Sequence, residues 1–372
     1  MEPNPFLGVV LHMIGGLAAG SFYIPYRKVK KWSWESYWLA GGFFSWIIAP
    51  WVLALLTCPN VFDVLRAAPW SSLARSYGFG LMWGVGGLTF GLTMRYLGVS
   101  LGMAVALGYC AAFGTLMPPL FAGQMPEIIA STGGQIILVG VAVCLAGIFV
   151  TGMAGMSKER EMPEAEKKKA IEEFDFVKGI LVATFSGIMS AGMSYGIAAG
   201  KPIAELARAA NLEHGATREF ANLWQNTPVF IVILAGGFTA NFLWCVLLNI
   251  KNHSGRDYID PQTPLLNNYF FSAIAGTTWY LQFMFYGMGT TQMGPYDFSS
   301  WSLHMASIIL FSTTWGILLH EWKGTSDRTR VRVALGLAVL VASLVTVGYG
   351  NHRKELEDKS KSPAPVAAGR VH

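Results

Sequence analysis

The stretch "GQIILVGVAVCLAGIFVTGM" (134–153) runs for twenty residues without a charged side chain, and comparable runs recur along the chain. About 20 helical apolar residues cross a hydrocarbon core of about 30 Å. Within that core every backbone N–H and C=O must find a partner inside the protein, so such runs fold as helices of a bundle. Ten candidate spans lie near 6–26, 35–57, 75–95, 98–121, 134–153, 177–199, 223–249, 268–290, 297–319 and 331–350. The third and fourth abut at Arg95–Gly98. The fold class is therefore read as all-α integral membrane, with ten transmembrane helices.

Composition agrees: 53% of residues are hydrophobic and 13% charged, about half the charged share of a soluble domain. Of the four cysteines, Cys110, Cys144 and Cys245 lie inside apolar runs and Cys58 at the edge of one, which makes no disulfide framework. The first run follows "MEPNP", which lacks the basic region of a cleavable signal, so it is expected to remain as a span. There is no Walker loop, no HExxH metal spacing and no nucleophile elbow, so no enzyme chemistry, metal or organic cofactor is expected. Nothing resembles a nucleic-acid patch. The expected partners are a small-molecule substrate and the lipid bilayer, and the pattern sets no oligomeric state. Without an ATPase module, active transport has to draw on an ion gradient.

Lysine and arginine orient the chain. With the N-terminus outside, cytoplasmic connections hold seventeen of them and the other side ten, five of which belong to the C-terminal tail. That bias favours both termini outside. The chain also repeats. "GLAAGSFY" (16–23) matches "GIMSAGMS" (187–194) at an offset of 171, and "GVAVCLAGIFVTG" (140–152) matches "GLAVLVASLVTVG" (336–348) at 196. Five spans per half make the second half enter from the opposite side, as inverted repeats of transporters do. The expected organisation is a first five-helix repeat over 1–155, a cytoplasmic connector over 156–176, a second repeat over 177–350 and a disordered tail over 351–372. The difference in offset puts insertions at 201–222 and 252–266. Residues 203–220 place apolar side chains at helical spacing and are expected to form a short surface helix.

Polar residues inside the spans are the functional candidates, because ionisable groups in hydrocarbon are costly. In "YDFSSWSLHM" (296–305), Asp297 and His304 stand seven apart with Trp301 between them, which on a continuous helix is one face. Asp297 capping a helix and His304 bonding a neighbouring helix are the plain alternatives. Imidazole titrates near physiological pH, so a carboxylate close by makes a proton relay. His12 lies at a similar depth in the first span, with Gly16, Ala19 and Tyr23 on its face. "WYLQFMFY" (279–286) sets Trp279, Gln282 and Tyr286 within a narrow arc. Aromatic stripes are usually packing, but a glutamine between two aromatics needs partners in a dry region. Sugars ask for this equipment: an aromatic plate for C–H faces and fixed polar groups for hydroxyls. The candidates are His304, Asp297 and His12 for proton coupling, and Trp279, Gln282, Tyr286, Trp301 and Tyr23 for sugar. Glu35 is expected to pair with "RKVKK" (27–31).

The blocks "FYIPYRKVKKWSWE" (22–35), "LTMRYLGVSLG" (92–102), "GTLMPP" (114–119), "WYLQFMFYGMG" (279–289) and "YDFSSWSLHM" (296–305) resemble the bacterial L-rhamnose–proton symporters of the drug/metabolite transporter superfamily. The resemblance runs from the first span to the tenth. It implies ten helices in two inverted halves and inward L-rhamnose transport coupled to H⁺, with no cofactor beyond the proton, across the bacterial inner membrane. An exporter of the same fold would want a broad apolar site, and a sugar sensor would need no proton site. The stretches 156–175, 201–222 and 289–297 and the tail depart from the family pattern, as does His320, where a lysine is usual. These departures bear on the choice among L-rhamnose, L-fucose, L-lyxose and L-mannose.

Overall fold

The computed structural model describes residues 3–97, 99–161, 175–320 and 322–361, and among them there is no strand. The helices are α1 (Pro5–Ser21), α2 (Tyr23–Tyr26), α3 (Trp34–Phe43), α4 (Ala49–Thr57), α5 (Val61–Ala67), α6 (Trp70–Leu97), α7 (Val99–Phe121), α8 (Met125–Ala130) and α9 (Thr132–Glu161). They continue with α10 (Phe176–Ser190), α11 (Gly192–Ala199), α12 (Lys201–Glu213), α13 (Arg218–Trp224), α14 (Thr227–Lys251), α15 (Leu265–Thr290), α16 (Ser300–Leu318) and α17 (Asp327–Lys361). Eight segments among the described residues are long and apolar enough to cross a membrane. The chain is an all-α, multi-pass membrane protein. Two further helices, α6 with 28 residues and α15 with 26, have the length but are more polar. Serines, threonines, asparagines and two arginines lower their hydropathy.

Local chemistry sets the helix breaks. Asn4 caps α1 by accepting from Leu7 N at 3.1 Å, with Pro5 at the first helical position. Pro50 has no N–H to offer the Trp46 carbonyl, and a π-helical turn over Phe44–Ile48 absorbs the defect between α3 and α4. Pro118 likewise releases the Gly114 carbonyl inside α7, and Ser194 Oγ of α11 donates to it at 2.6 Å.

In lipid the hydrophobic effect does not hold helices together, so close packing and interhelical hydrogen bonds must. α9 lies along α17, α6 against α10 and α14, and α1 between α15 and α16. Trp38 Nε1 donates to Asn241 Oδ1 at 3.0 Å, joining α3 to α14.

Three expectations change. The final helix runs on to Lys361 instead of ending at Gly350, because Asn351, Lys354 and Glu357 bond Ser299, Glu127 and the Gly133 N–H across the bundle; 362–372 lie outside the described residues. Glu35 is held by neutral donors in place of the expected basic run: its carboxylate accepts from Ser254 Oγ at 2.6 Å and Asn252 Nδ2 at 3.0 Å. The connector's first residues prolong α9 to Glu161, and 162–174 lie outside the described residues. The expected surface helix forms as α12, which buries Ile203, Ala204 and Ala207, followed by α13.

Candidate functional site

A cavity of about 410 Å³ opens at the end of the bundle that carries Lys201 and Asp297. Its walls come from the Pro118–Pro119 step of α7, from α11 and α12, from the α13–α14 junction and from the end of α15. The Ser194–Gly114 bond ties two of these walls together. Asn226 braces another by donating to the Gly287 carbonyl at 2.9 Å and to Thr290 Oγ1 at 3.2 Å. At the mouth Lys201 Nζ stands 2.9 Å from Asp297 Oδ2, both partly exposed.

Tyr286 lines the cavity and belongs to a compact ring cluster. Its centroid is 5.2 Å from both His12 and His304 and 5.6 Å from Trp301, while the two imidazoles are 6.4 Å apart. All four side chains are buried, as is Gln282. His304 Nε2–H donates to Gln282 Oε1 at 3.3 Å, while His304 Nδ1 and both His12 nitrogens have no hydrogen-bond partner among the described residues. Trp301 Nε1 donates to the Cys110 carbonyl at 3.0 Å, which orients the indole across the α7–α16 contact. Glycines supply the room. A Cβ on Gly289 would lie 2.9 Å from the His12 ring, and one on Gly114 would lie 2.3 Å from the Trp301 indole. Unpartnered polar groups in a dry region cost about 1–3 kcal/mol each unless something satisfies them.

The predicted residues thus divide. His12, Gln282, Tyr286, Trp301 and His304 meet in one cluster. Asp297 stands at the cavity mouth, not on the helix of His304. It belongs to a 3-10 turn, Gly294–Ser299, that is non-helical at Tyr296, and α16 begins only at Ser300. Asp297 follows the non-helical Tyr296 in the 3-10 turn that leads into α16, and its partner is Lys201. Trp279 and Tyr23 lie elsewhere. Trp279 is seven residues along α15 from Tyr286, about 10 Å by helical rise. There it packs at 4.1 Å on Phe22, 5.0 Å from Trp38 and 5.8 Å from Trp46. Tyr23 joins the same cluster through Phe22 at 4.3 Å, with about half its surface exposed. Phe22 separates α1 from α2 by a single turn residue with helical backbone angles (φ −63°, ψ −24°). Lys201, Gln225, Asn226 and Thr290 line the cavity and were not singled out from sequence. The signal for Asn226 is faint, an Asn-Thr-Pro start to α14, and Lys201 reads as an ordinary interfacial charge.

Comparison with known proteins identifies the family. The sequence family described as L-rhamnose-proton symport protein matches residues 1–352. A protein named L-rhamnose-proton symporter from Yersinia pestis (strain Pestoides F) is 37% identical over 348 residues, covering 92% of this chain and 97% of its own. One of the same name from Cronobacter sakazakii (strain ATCC BAA-894) is 38% identical with the same coverage. A match along nearly the whole length of both chains shows that this protein belongs to the L-rhamnose-proton symport family, transporters and not enzymes.

Proposed function

We propose that the protein is a secondary transporter that takes up L-rhamnose together with a proton. The observation that carries this reading is the one-sided cavity with Tyr286 against the His12–Gln282–His304 cluster, in a chain of this family. Sugar descends past the Lys201–Asp297 pair, lays a C–H face on Tyr286 and Trp301, and exchanges hydroxyl hydrogen bonds with Gln282 and the imidazoles. His304, with His12 beside it and Asp297 at the cavity mouth, carries the proton. On the far side Phe22, Tyr23, Trp38, Trp46 and Trp279 form the seal that opens when the mouth closes. A broad exporter would not want so polar a floor, and a sensor would have no use for paired imidazoles.

The finer architecture we read is ten helices in two inverted halves, with α6 and α15 as the additional spans. Packing supports this. Gly8 packs on Met293 and Gly179 on Leu97, an offset of 171 on one side of the contact and 196 on the other. Gly140 faces Val347 and Gly336 faces Thr151, again 196 apart. Asp175 caps α10, accepting from Lys178 N at 3.0 Å, as Asn4 caps α1. Pairs that exchange in this way follow from a pseudo-two-fold axis, which shared composition alone would not produce. The seventeen-to-ten charge bias puts both termini outside the bacterial inner membrane and makes the cavity outward-facing. A periplasm-active reporter fused after Lys361 should be active, and one fused at Lys168 silent; the reverse pattern would invert the site.

Counterflow tests the function. Proteoliposomes loaded with unlabelled L-rhamnose should take up labelled L-rhamnose transiently, and Gln282→Ala should raise the half-saturating concentration about tenfold or more, the loss of a hydrogen-bonding pair or two. Protein that inserts normally but shows no counterflow would sink the reading.

A further inference from the structure

The last turns of α17 lie beyond residue 352, where the family match ends, yet they are built into the bundle. Lys354 is 4% exposed. Its ammonium stands 2.8 Å from Asp358 Oδ1 and 3.4 Å from Glu127 Oε1, and 5.1 Å from the centre of the Tyr296 ring. The Tyr296 hydroxyl in turn shares a hydrogen bond with Ser131 Oγ at 3.0 Å and donates to the Glu127 carbonyl at 3.3 Å. One turn earlier, Asn351 Nδ2 donates to Ser299 Oγ at 2.9 Å, and Ser299 Oγ donates to the Tyr296 carbonyl at 2.9 Å. The 3-10 turn Gly294–Ser299 is therefore gripped from behind by α17 while Asp297, within it, faces the cavity and Lys201.

A turn that leaves helical geometry at Tyr296 does not hold its own shape, and a leucine would fill the Lys354 site at less desolvation cost. The lysine adds direction: a cation on an aromatic face and two ionic contacts fix one placement of the ring. We propose that Lys354 is a positioning residue for transport. Through Tyr296 it sets the turn so that Asp297 stands against Lys201 at the cavity mouth, and a segment beyond the family match is part of the machinery. The proposal rests on the transport reading above.

The test uses the full-length protein in proteoliposomes. Lys354→Met should fold, because its partner carboxylates are 67% and 42% exposed and are not left as buried charges. It should raise KM for labelled L-rhamnose about tenfold with the maximal rate within about twofold, the signature of a misplaced binding group. A Phe298→Cys probe reads the turn without sugar, since Phe298, 8% exposed at the cavity wall, packs against Tyr296 and the four native cysteines are buried. A membrane-impermeant thiol reagent should label it about tenfold faster in the Lys354→Met background. Lys354→Arg should restore both values. Unchanged labelling overturns the grip itself, and faster labelling with an unchanged KM overturns its role in transport. Absence of rhamnose exchange in the wild type removes the transport reading instead, a result that the labelling rate distinguishes.

Discussion

His304→Gln should stop concentrative uptake while leaving exchange nearly intact. Glutamine keeps a polar side chain of similar reach, able to bond Gln282 as the imidazole does at 3.3 Å, but it cannot titrate. One pH unit across the membrane is worth about 1.4 kcal/mol, so one proton per sugar supports about tenfold accumulation. In the variant that ratio should fall to about one, and the alkalinisation of the medium on adding sugar should vanish. Counterflow, which needs no net proton movement, should continue within a few-fold of wild type. The reason is linkage: a proton couples to sugar only if each favours the binding of the other, and a group that cannot change protonation carries no coupling. Asp297→Asn separates two assignments. If the carboxylate is the carrier, this variant shows the same loss. If Asp297 only shapes the mouth with Lys201, sugar capture weakens and accumulation persists. Should both variants still concentrate L-rhamnose, the proton site lies elsewhere and His12 becomes the candidate.

The second large effect is on assembly. Gly276 of α15 meets the backbone of α3 so closely that a Cβ there would lie 2.0 Å from the Gly41 carbonyl oxygen. That atom is backbone and cannot swing aside. Gly276→Leu must push two helices apart, and because close packing is what holds helices together in lipid, the contact has nothing to replace it. Overpacking of this kind costs about 3 kcal/mol or more where no side chain can yield. Little folded protein should be recovered from membranes, and what is recovered should melt well below wild type in detergent. Gly87→Leu is the control, since nothing lies within 4 Å of a Cβ at that position. Equal melting of the two variants would refute the α3–α15 packing.

Site and fold were legible to different degrees. His12, Gln282, Tyr286, Trp301 and His304 could be picked out because a polar or amphipathic residue in a long apolar run stands against its background. Lys201 and Asn226 could not, because near a helix end such residues are ordinary. Asp297 was found by its spacing from His304, but its place in a 3-10 turn ahead of α16 and its pairing with Lys201 were not readable from that spacing. Trp279 shares an arc with Tyr286, but an arc says nothing of depth, and about 10 Å of rise separates two clusters.

By itself the sequence determined that this chain is a helical membrane protein of the L-rhamnose-proton symport family, since twenty-residue apolar runs admit no other backbone in lipid. Its long motif blocks carried the family. Tertiary structure alone decided which helices touch, that Glu35 is held by Ser254 and Asn252, that α17 extends to grip the Tyr296 turn, and which polar groups share the cavity. Those outcomes depend on approach distances between segments from about fifty to more than two hundred residues apart. Local pattern records what a residue is able to bond, and only packing selects its partner.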